Sequence, residues 1–334
     1  MNHPEWYALG AFVVSFILQF LVIHFTHKHS FFIDSHMEEK PQNFHDISTP
    51  RAGGIGIVAG MLFLFLTPLG WKLLFSVFLA FLSGIFEDYH HSLSPRRRLA
   101  LQGIAALSAI WLTGSVVTYL GLGISMPYWV GILFSTFAIV GMMNAVNIID
   151  GFNGLASGVI FLVLFSFAFT AYRQENFEIL YIILVTGGAT LGFFLLNFPK
   201  GKIFLGDGGA YLLGFIVAII GIFLASKYES VSPWYVFAIF IYPVWEVLFS
   251  IMRKLYTGIS PMQPDSYHFH MLVYRQITRS NPLTALLIIV FVLPFIIFST
   301  IYYGRSISNI IIACCFIVFY VIFYYYLYKK DIQN

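Results

Sequence analysis

Long apolar runs separated by short polar segments occupy this chain from end to end. A helix that crosses a bilayer needs about 20 apolar residues, with roughly 17–25 usual. Runs of this kind predict eleven membrane spans, or ten if the tight connection at Thr67–Lys72 does not separate two of them. The predicted spans are Trp6–Phe25, Gly53–Leu69, Trp71–Phe86, Leu99–Leu120, Met126–Val146, Leu155–Tyr172, Ile179–Phe198, Ala210–Ser226, Pro233–Met252, Pro282–Tyr303 and Ile307–Tyr328. The pattern therefore predicts an all-α, polytopic helical bundle embedded in a membrane.

The composition agrees with this pattern and excludes other classes of protein. Of the 334 residues, 59% are apolar and 10% are charged, whereas soluble domains carry roughly 25% charged residues. The mean hydropathy is +0.83. These values exclude a water-soluble globular protein, and a net charge of +3 is too small to indicate a nucleic-acid partner. Since there is no internal repeat and no low-complexity linker, we expect residues 1–334 to form a single membrane domain.

The basic residues predict the orientation of the bundle. With the eleven predicted spans, one set of loops and the C-terminal segment together hold 14 of the 18 Lys and Arg residues. The opposite loops hold only Lys72, Arg173, Lys227 and Arg305. Because Lys and Arg collect in cytoplasmic loops, we expect the N-terminus outside and the C-terminus in the cytoplasm.

Polar clusters are concentrated on the same predicted cytoplasmic side. They lie in loops near 27–52, 87–98, 147–154, 197–209 and 253–282, at or near helix ends. Loops this short have little need of acids for solubility. The distribution therefore predicts that five loops assemble one site on the cytoplasmic face.

The first loop places Arg51 before Gly53, Gly54 and Gly56. Arginine can bind a phosphate through two hydrogen bonds, and glycines let backbone amides approach a phosphate closely. Small residues also allow tight helix packing in membranes. Taken alone, the motif favours this packing interpretation.

The second cluster consists of the adjacent acids Glu87 and Asp88, followed by three arginines at 96–98. Neighbouring carboxylates repel each other unless a cation lies near them, and a magnesium ion shared with substrate phosphates would supply that cation. A solvated helix cap explains the acids equally well. The arginines then mark the cytoplasmic side or contact anionic lipid head groups.

The third cluster contains Asn147, Asp150 and Asn153 between two predicted spans. Asn and Asp can read the edge of a base or sugar, and a carboxylate can also support a metal. Asp-Gly and Asn-Gly are common turn pairs, so a simple turn is the alternative. The density of amide and acid groups near membrane depth favours a functional role.

The fourth cluster places Asp207 between glycines just before a predicted helix, after Lys200 and Lys202. Asp is a favoured N-cap residue, which is one interpretation. An acid flanked by glycine beside two lysines also suits a metal-bound diphosphate. The sequence alone leaves these two interpretations open.

The fifth cluster contains Asp265, His268 and His270, with Arg275 following. The two histidines could donate hydrogen bonds to phosphate or relay protons. Zinc has weak support because no cysteine or further histidine is nearby in sequence. A pair of this kind is more often structural or solvated.

Taken in order, the five clusters resemble the polyprenyl-phosphate N-acetylhexosamine-1-phosphate transferases (glycosyltransferase family 4), which include the phospho-MurNAc-pentapeptide translocase. The resemblance covers nearly the whole chain. Loops of that family carry an aspartate pair, an N-x-x-N-x-x-D-G-x-D-G-L segment, a G-D-x-G segment and a late histidine motif. The corresponding positions in this chain are Glu87 and Asp88; Asn147, Asp150 and Asn153; Asp207; and His268 and His270.

Three departures from the family pattern matter. Glu87 replaces the first Asp of the pair, which keeps the charge and lengthens the arm. Asn153 replaces the second Asp of D-G-x-D-G and loses a charge. Met271 stands where a further His is usual, which argues against the pentapeptide translocase. The T-P-R-A-G-G and H-F-H-M-L-V-Y-R stretches look more like the branch that starts O-antigen, capsule or wall-polymer chains, which uses undecaprenyl phosphate and UDP-GlcNAc.

The resemblance implies transfer of N-acetylhexosamine-1-phosphate from a UDP-sugar to undecaprenyl phosphate, with release of UMP. It implies Mg²⁺, with Mn²⁺ as an alternative, at the cytoplasmic face of a bacterial inner (plasma) membrane, and it is compatible with a homodimer. The catalytic residues implied are Glu87, Asp88 and Asp207, with Asp207 and Asp88 holding the metal. The substrate-binding residues implied are Arg51, Asn147, Asp150, Asn153, Lys202, His268, His270 and Arg275. Glu87 or Asp88 could instead orient or deprotonate the lipid phosphate.

Two rival functions remain at this point. One is the phospho-MurNAc-pentapeptide transfer of peptidoglycan synthesis. The other belongs to a different class, a membrane transporter or lipid flippase, which would place ionisable groups near mid-membrane, often in broken helices. Only Glu246 lies within a predicted span, and the other clustered acids lie at the cytoplasmic edge. That distribution favours an enzyme acting on a lipid head group.

Overall fold

A computed structural model describes residues 3–29, 49–90, 93–261, 263 and 265–333. This part of the chain folds into thirteen α-helices. They are α1 (Pro4–His29), α2 (Gly53–Met61), α3 (Pro68–His90), α4 (Pro95–Thr113), α5 (Tyr128–Ile149), α6 (Leu155–Arg173), α7 (Phe177–Asn197), α8 (Gly206–Lys227), α9 (Pro233–Ile239), α10 (Ile241–Tyr256), α11 (Phe269–Val273), α12 (Asn281–Ile301) and α13 (Ser306–Gln333). A 3₁₀ turn at Leu62–Leu66 follows α2, and a π-helical turn at Tyr274–Thr278 follows α11. Most of the predicted loop 27–52 lies outside the described residues.

The all-α, polytopic membrane architecture is confirmed. Within the described residues, eight helices are long and apolar enough to cross a bilayer, and a ninth span is formed if α9 and α10 are counted together. Two further predicted spans are less suited to crossing alone: Gly53–Leu66 is short, and α4 begins with three arginines. The count of eleven and the sidedness of the termini stay predictions.

The predicted single span Pro233–Met252 is instead two helices, α9 and α10, which meet at an angle of 74°. Pro243 explains the break. It has no N–H to donate to the carbonyl of Ile239, four residues earlier, and its ring clashes with that carbonyl in a continuous helix. The bend places the first turns of α10, including Glu246, inside the bundle, where that side chain is buried.

Helix α8 lies at the centre of the bundle. Its apolar stretch is 89% buried within the protein, against 17% for α1, which therefore presents most of its surface to lipid. A side chain at Gly214 would meet the backbone of Met142 and Met143 at 2.7 Å, so this glycine allows α5 to pack closely on α8. The N-terminus of α8 is thereby fixed among neighbouring helices.

The first turn of α8 also packs against α3 at Gly84. A Cβ atom at this position would collide with the backbone of Asp207 and Gly208. Asp88 lies one turn further along α3 on the same face, so its carboxylate reaches the start of α8. Close helix contact at Gly84 is therefore what brings an acid of α3 to the amides of α8.

The segment before α2 runs beside the segment before α8. The Phe204 amide donates to the Pro50 carbonyl at 2.9 Å, and the Gly53 amide donates to the Phe204 carbonyl at 2.9 Å. The Gly54 amide continues the pairing by donating to the carbonyl of Leu205 at 3.1 Å. Two loops that are distant in sequence are thus joined at the end of the central helix.

Candidate active site

Asp88 binds the N-terminus of α8. Its Oδ1 atom accepts a hydrogen bond from the amide of Asp207 at 2.9 Å, and its Oδ2 atom accepts one from the amide of Gly208 at 2.9 Å. The first amides of a helix have no partner within the helix and carry a partial positive charge. The Asp88 carboxylate, from another helix, accepts hydrogen bonds from two of these amides and offsets their partial positive charge. The cap predicted as an alternative role for Asp207 is therefore supplied by Asp88.

Asp207 lies at the centre of a charged cluster built from four segments. Its Oδ1 atom accepts from Asn147 Nδ2 at 3.1 Å and from an Arg51 guanidinium nitrogen at 3.3 Å. Its Oδ2 atom accepts from a guanidinium nitrogen of Arg98 at 3.2 Å. The side chain is 13% exposed. The loop before α2, the start of α4 and the end of α5 thus converge on one carboxylate of α8.

Arg51 joins the two buried acids of this cluster, because its Nε atom also lies 3.9 Å from Asp88 Oδ1. The glycines that follow it act differently from a phosphate cradle. The amides of Gly53 and Gly54 are bonded to the carbonyls of residues 204 and 205. A Cβ at Gly54 would lie 2.6 Å from the Gly209 amide nitrogen. The structure therefore favours the packing interpretation for these glycines and a charged role for Arg51.

Arg98 is a site residue that the sequence interpretation treated only as part of a basic run. It is half-buried, whereas Arg96 and Arg97 are exposed. Its guanidinium contacts Asp207 and lies 3.9 Å from Glu87 Oε1. Helical spacing was the available signal, because Arg98 shares a face with Gln102, Ala105 and Ala109, all fully buried.

Asp150 lies beside the same carboxylates, in the turn that follows α5. Its amide donates to the Asn147 carbonyl at 3.2 Å, which fits the predicted turn. Burial raises the pKa of the Asp150 carboxyl well above its ordinary value. Arg51 opposes this rise, while Asp207 and Asp88 add to it. The surroundings of Asp150 therefore disfavour its ionised form.

Asn153 connects loops in this arrangement. The side chain is 5% exposed; its Nδ2 donates to the Pro199 carbonyl at 3.1 Å and its amide donates to Asn281 Oδ1 at 2.8 Å. Asn197 forms a similar link, accepting from the Gly154 amide at 2.7 Å. The Asn153 side chain thus ties the 150–154 turn to the 197–203 loop. Lys202, on that loop, is exposed.

The late histidines form a second polar cluster around Glu246. His268 Nδ1 lies 3.0 Å from Glu246 Oε1, and the imidazole rings of His268 and His270 are parallel at a centroid distance of 5.4 Å. His270 Nδ1 lies 3.3 Å from the hydroxyl of Tyr242. Burial lowers the pKa of His270 to about 4, so its imidazole is neutral at physiological pH. The sequence interpretation noted Glu246 but assigned it no role.

Arg275, whose predicted substrate contact stays a prediction, binds an acid of the C-terminal helix. Its guanidinium binds both carboxylate oxygens of Asp331 on α13, at 3.0 and 2.7 Å, and also donates to the Ser266 carbonyl at 2.8 Å. In the same region Arg253 binds Asp265 at 2.7 Å. The first ion pair fastens the segment after the histidines to the C-terminal helix, and the second fastens the loop before α11 to α10. In this arrangement Arg275 positions the loop that carries His268.

A divalent cation would find oxygen donors here but no completed cage. Among the described residues, no group of three or more His, Cys, Asp and Glu side chains is arranged to hold a metal ion. The carboxylates of Asp207 and Asp88 nevertheless fit magnesium in kind, because Mg²⁺ prefers oxygen ligands and is commonly bound by one or two carboxylates together with substrate phosphates and water. The donor set thus fits a metal that arrives with an anionic substrate.

Comparison with known proteins identifies the family to which the chain is similar. A family model described as "Glycosyl transferase family 4" matches residues 70–225, which include Glu87, Asp88, Arg98 and Asp207 but not the histidine pair. The chain is 29% identical over 281 residues to a protein of Bacillus subtilis (strain 168) named "Probable undecaprenyl-phosphate N-acetylglucosaminyl 1-phosphate transferase". That match covers 78% of this chain and 75% of the relative.

Two streptococcal relatives named "Phospho-N-acetylmuramoyl-pentapeptide-transferase" are also similar. The chain is 31% identical over 303 residues to that of Streptococcus sanguinis (strain SK36), a match that covers 79% of this chain and 88% of the relative. It is 32% identical over 195 residues to that of Streptococcus agalactiae serotype Ia, where the match spans 56% of this chain and 58% of the relative.

Proposed function

Because the chain belongs to glycosyl transferase family 4, we propose that it transfers N-acetylhexosamine-1-phosphate from a UDP-sugar to undecaprenyl phosphate. The product is a lipid-linked diphosphate sugar that starts an O-antigen, capsule or wall-polymer chain, and UMP is released. The observation that carries this proposal is the convergence of Arg51, Arg98 and Asn147 on Asp207 at the end of the central membrane helix. Such a site suits the handling of phosphate groups.

The proposed reaction exchanges one pyrophosphate linkage for another. An oxygen of the lipid phosphate attacks the β-phosphorus of the UDP-sugar, and the bond from that phosphorus to the bridging oxygen of UMP breaks. Since the bonds broken and formed are alike, the reaction is close to energetic balance and reversible. The protein must therefore chiefly position two anions and offset their repulsion.

The residues of the cluster have different parts in this proposal. Asp207 would hold the magnesium ion, with Asp88 as a further oxygen donor, and the bound ion would neutralise charge between the two phosphates. Arg51 and Arg98 now share the oxygens of Asp207, so both are placed to bind phosphate oxygens instead. Asn147 and Asp150 are proposed contacts of the nucleotide sugar, and Lys202 is a proposed contact of its diphosphate.

The proposed acceptor, undecaprenyl phosphate, has little need of a general base. A phosphate monoester with a second pKa of about 6 is largely doubly ionised near neutral pH. We therefore assign Asp88 to the binding of the α8 amides and to support of the metal. Glu87, beside Arg98, orients the lipid phosphate. The active site would face the cytoplasm of a bacterial inner membrane, where UDP-sugars are available.

UDP-GlcNAc is the proposed donor, with UDP-MurNAc-pentapeptide as the second candidate because relatives carry that transferase name. Met271 favours the first. It stands where the pentapeptide translocase has a further histidine, and its Cε atom lies 3.7 Å from where a Cβ of Gly151 would be. An apolar methyl group therefore lies against the Asp150–Gly151 turn. A transport function is less favoured, although α9 and α10 form a broken span, because Glu246 is enclosed by hydrogen-bond donors.

The experiment that tests the proposal is a panel of UDP-sugars incubated with purified protein, undecaprenyl phosphate and MgCl₂, with UMP release as the readout. UDP-GlcNAc should release UMP only when the lipid phosphate is present, and UDP-MurNAc-pentapeptide should not. Release with the pentapeptide substrate alone would support the second candidate. If no UDP-sugar releases UMP, and the protein instead moves a lipid across liposomes, the transferase proposal is wrong.

A further inference from the structure

Glu246 is a buried acid, 1% exposed, that the proposed chemistry does not use. Its Oε1 atom accepts from the Phe269 amide at 2.9 Å and lies 3.0 Å from His268 Nδ1. Its Oε2 atom accepts from the hydroxyl of Tyr320 at 2.9 Å. Three donors from α11, its N-cap and α13 therefore surround one carboxylate of α10. Burial of a charge is costly unless hydrogen bonds of this kind compensate for it.

This arrangement determines where the proton of His268 lies. A carboxylate only accepts hydrogen bonds, so Nδ1 of His268 is the donor to Glu246 and carries the proton. In the neutral imidazole, Nε2 then has the free lone pair. A carboxylate bound to one ring nitrogen commonly fixes both the tautomer and the orientation of a histidine.

The same geometry determines which way the Nε2 atoms point. His268 Nδ1 faces Glu246 and His270 Nδ1 faces Tyr242, one turn earlier on α10. Because each Nδ1 atom faces α10, the Nε2 atom on the far side of each ring points away from that helix. His270 Nε2 lies 3.5 Å from where a Cβ of Gly151 would be, next to Asp150. His270 therefore faces the turn that borders the carboxylate cluster, and the His268 ring stacks against it.

The two histidines differ in what they can reach. His270 is 1% exposed, and its buried Nε2 has no hydrogen-bond partner within the described part of the chain. The side chain of His268 is 11% exposed. His268 is thus the accessible member of the pair. The buried His270 ring stacks against it, and the Nε2 atom of His270 faces the turn at Gly151.

We propose that Glu246 is a positioning residue, which holds His268 with its proton on Nδ1 and leaves the Nε2 lone pair free to accept a hydrogen bond from a hydroxyl or N–H group of the nucleotide sugar. The identity of the ligand in this inference rests on the proposed function. The tautomer of His268 follows from its contact with Glu246 alone. Glu246 itself touches no substrate and acts through the histidine.

Glu246→Gln tests the proposal, because glutamine keeps the shape of the side chain, removes the charge and can present either its oxygen or its NH₂ group to His268 Nδ1. Loss of an orienting partner of this kind typically costs about 10- to 100-fold. We expect kcat/KM for the UDP-sugar to fall in this range while KM for the lipid phosphate stays unchanged. Tyr320→Phe is the matched control: it removes the other hydrogen bond of the same carboxylate and should leave kcat/KM within about threefold of the wild type.

A double variant separates positioning from a merely structural effect. If Glu246 acts through His268, Glu246→Gln adds no loss to that of His268→Asn, because interacting residues are not additive. An additional tenfold loss in the double variant would overturn the proposal. So would equal losses of kcat/KM in Glu246→Gln and Tyr320→Phe, since these would indicate a packing role.

A spectroscopic measurement keeps this inference distinct from the proposed reaction. In protein labelled with ¹⁵N-histidine, His268 should show a protonated Nδ1 and an unprotonated Nε2, and Glu246→Gln should mix the two tautomers. The His268→Asn variant identifies the signal by its loss. A wild-type His268 protonated at Nε2 alone would overturn the proposal. If the tautomer is as expected but no UDP-sugar releases UMP, the proposed function fails and the positioning role stands.

Discussion

The two polar clusters of this protein solve the problem of burying charge in opposite ways. Around Asp207, acids and arginines from four segments balance one another, and the contacts are 3.1 to 3.3 Å long. Around Glu246, one acid is enclosed by neutral or titratable donors at 2.9 to 3.0 Å. The first cluster can exchange partners when a cation or phosphate arrives. The second is already satisfied and can hold a neighbouring side chain in place.

This difference assigns separate tasks to the two regions. Electrostatic contacts with exchangeable partners suit charge stabilisation during phosphoryl transfer. Short hydrogen bonds within a buried network suit orientation. Variants of the Asp207 cluster should therefore affect the reaction most strongly, and variants of the Glu246 cluster should affect it more moderately.

Asp207→Asn should have the largest effect on transfer. The change keeps the shape of the side chain and removes the charge that Arg51 and Arg98 bind. The rate of UMP release should therefore fall by about a hundredfold to a thousandfold. The melting temperature should remain close to that of the wild type. Glu229→Gln, which removes the charge of an exposed acid in the loop after α8, is the control and should retain most activity. Normal turnover in Asp207→Asn would remove this residue from the mechanism.

Gly84→Ala should disturb the same cluster through its backbone. The new methyl group would collide with the backbone of Asp207 and push α3 away from α8. Overpacking of this kind costs about 1–3 kcal/mol, and UMP release should fall with the lost contact of Asp88. Gly103→Ala on α4 is the control because a Cβ there meets nothing within 4 Å; it should be neutral or slightly stabilising. Equal melting temperatures for the two variants would contradict the packing described at Gly84.

Asp150→Asn should raise thermal stability at neutral pH while lowering transfer. Burial raises the pKa of Asp150, so the folded state keeps a proton that the unfolded state loses above about pH 4. The free energy of unfolding therefore falls as the pH rises from the unfolded pKa of about 4 toward the raised pKa of the folded state. Asparagine does not ionise, so the variant should not lose this stability.

Asp265→Asn is the matched control for Asp150→Asn, with the opposite sign. Burial opposes ionisation of Asp265, but its hydrogen bond with Arg253 outweighs this and lowers the pKa. That contribution is present above the unfolded pKa and is lost as pH falls through the folded pKa, so Asp265→Asn should melt lower at neutral pH. Shifts of the same sign in both variants, measured by thermal unfolding across pH, would contradict the electrostatics described for the turn.

His270→Asn should have the smallest effect on thermal stability, and this effect should be seen only at acidic pH. Burial lowers the pKa of His270 to about 4, against about 6.5 in an unfolded chain. The unfolded state therefore takes up a proton first, and stability is lost as pH falls from about 6.5 to about 4. The variant should melt with a weaker dependence on pH in this window. His24→Asn, on an exposed side chain of α1, should keep the wild-type dependence, and identical slopes for all three proteins would refute the assignment.

The sequence predicts the membrane helices well because apolar runs report directly on burial in lipid. The family resemblance also identifies Asp88, Asn147 and Asp207, which the fold brings together. Boundaries were less accurate where a backbone break intervenes. The predicted span Leu99–Leu120 ends earlier, at Gly114 in a left-handed conformation, and the break before Pro243 divides another span.

What the sequence could not predict is how partners are chosen across distant segments. Helical spacing separates Arg98 from Arg96 and Arg97, but the sequence does not show that its partner is Asp207. Arg275 follows the histidines closely but binds Asp331, 56 residues away. Asn153 stands at a position where the family has an acid, and here its amide links two loops. Each choice depends on helix phase and packing, which periodicity alone does not specify.

Exchange of labelled UMP into UDP-GlcNAc tests directly whether the Asp207 cluster performs reversible sugar-phosphate transfer. Purified protein is incubated with UDP-GlcNAc, labelled UMP and MgCl₂, with and without undecaprenyl phosphate. Label should enter UDP-GlcNAc only when the lipid phosphate is present, and Asp207→Asn should show no exchange. Exchange in the absence of the lipid, or undiminished exchange by Asp207→Asn, would contradict this role of the cluster.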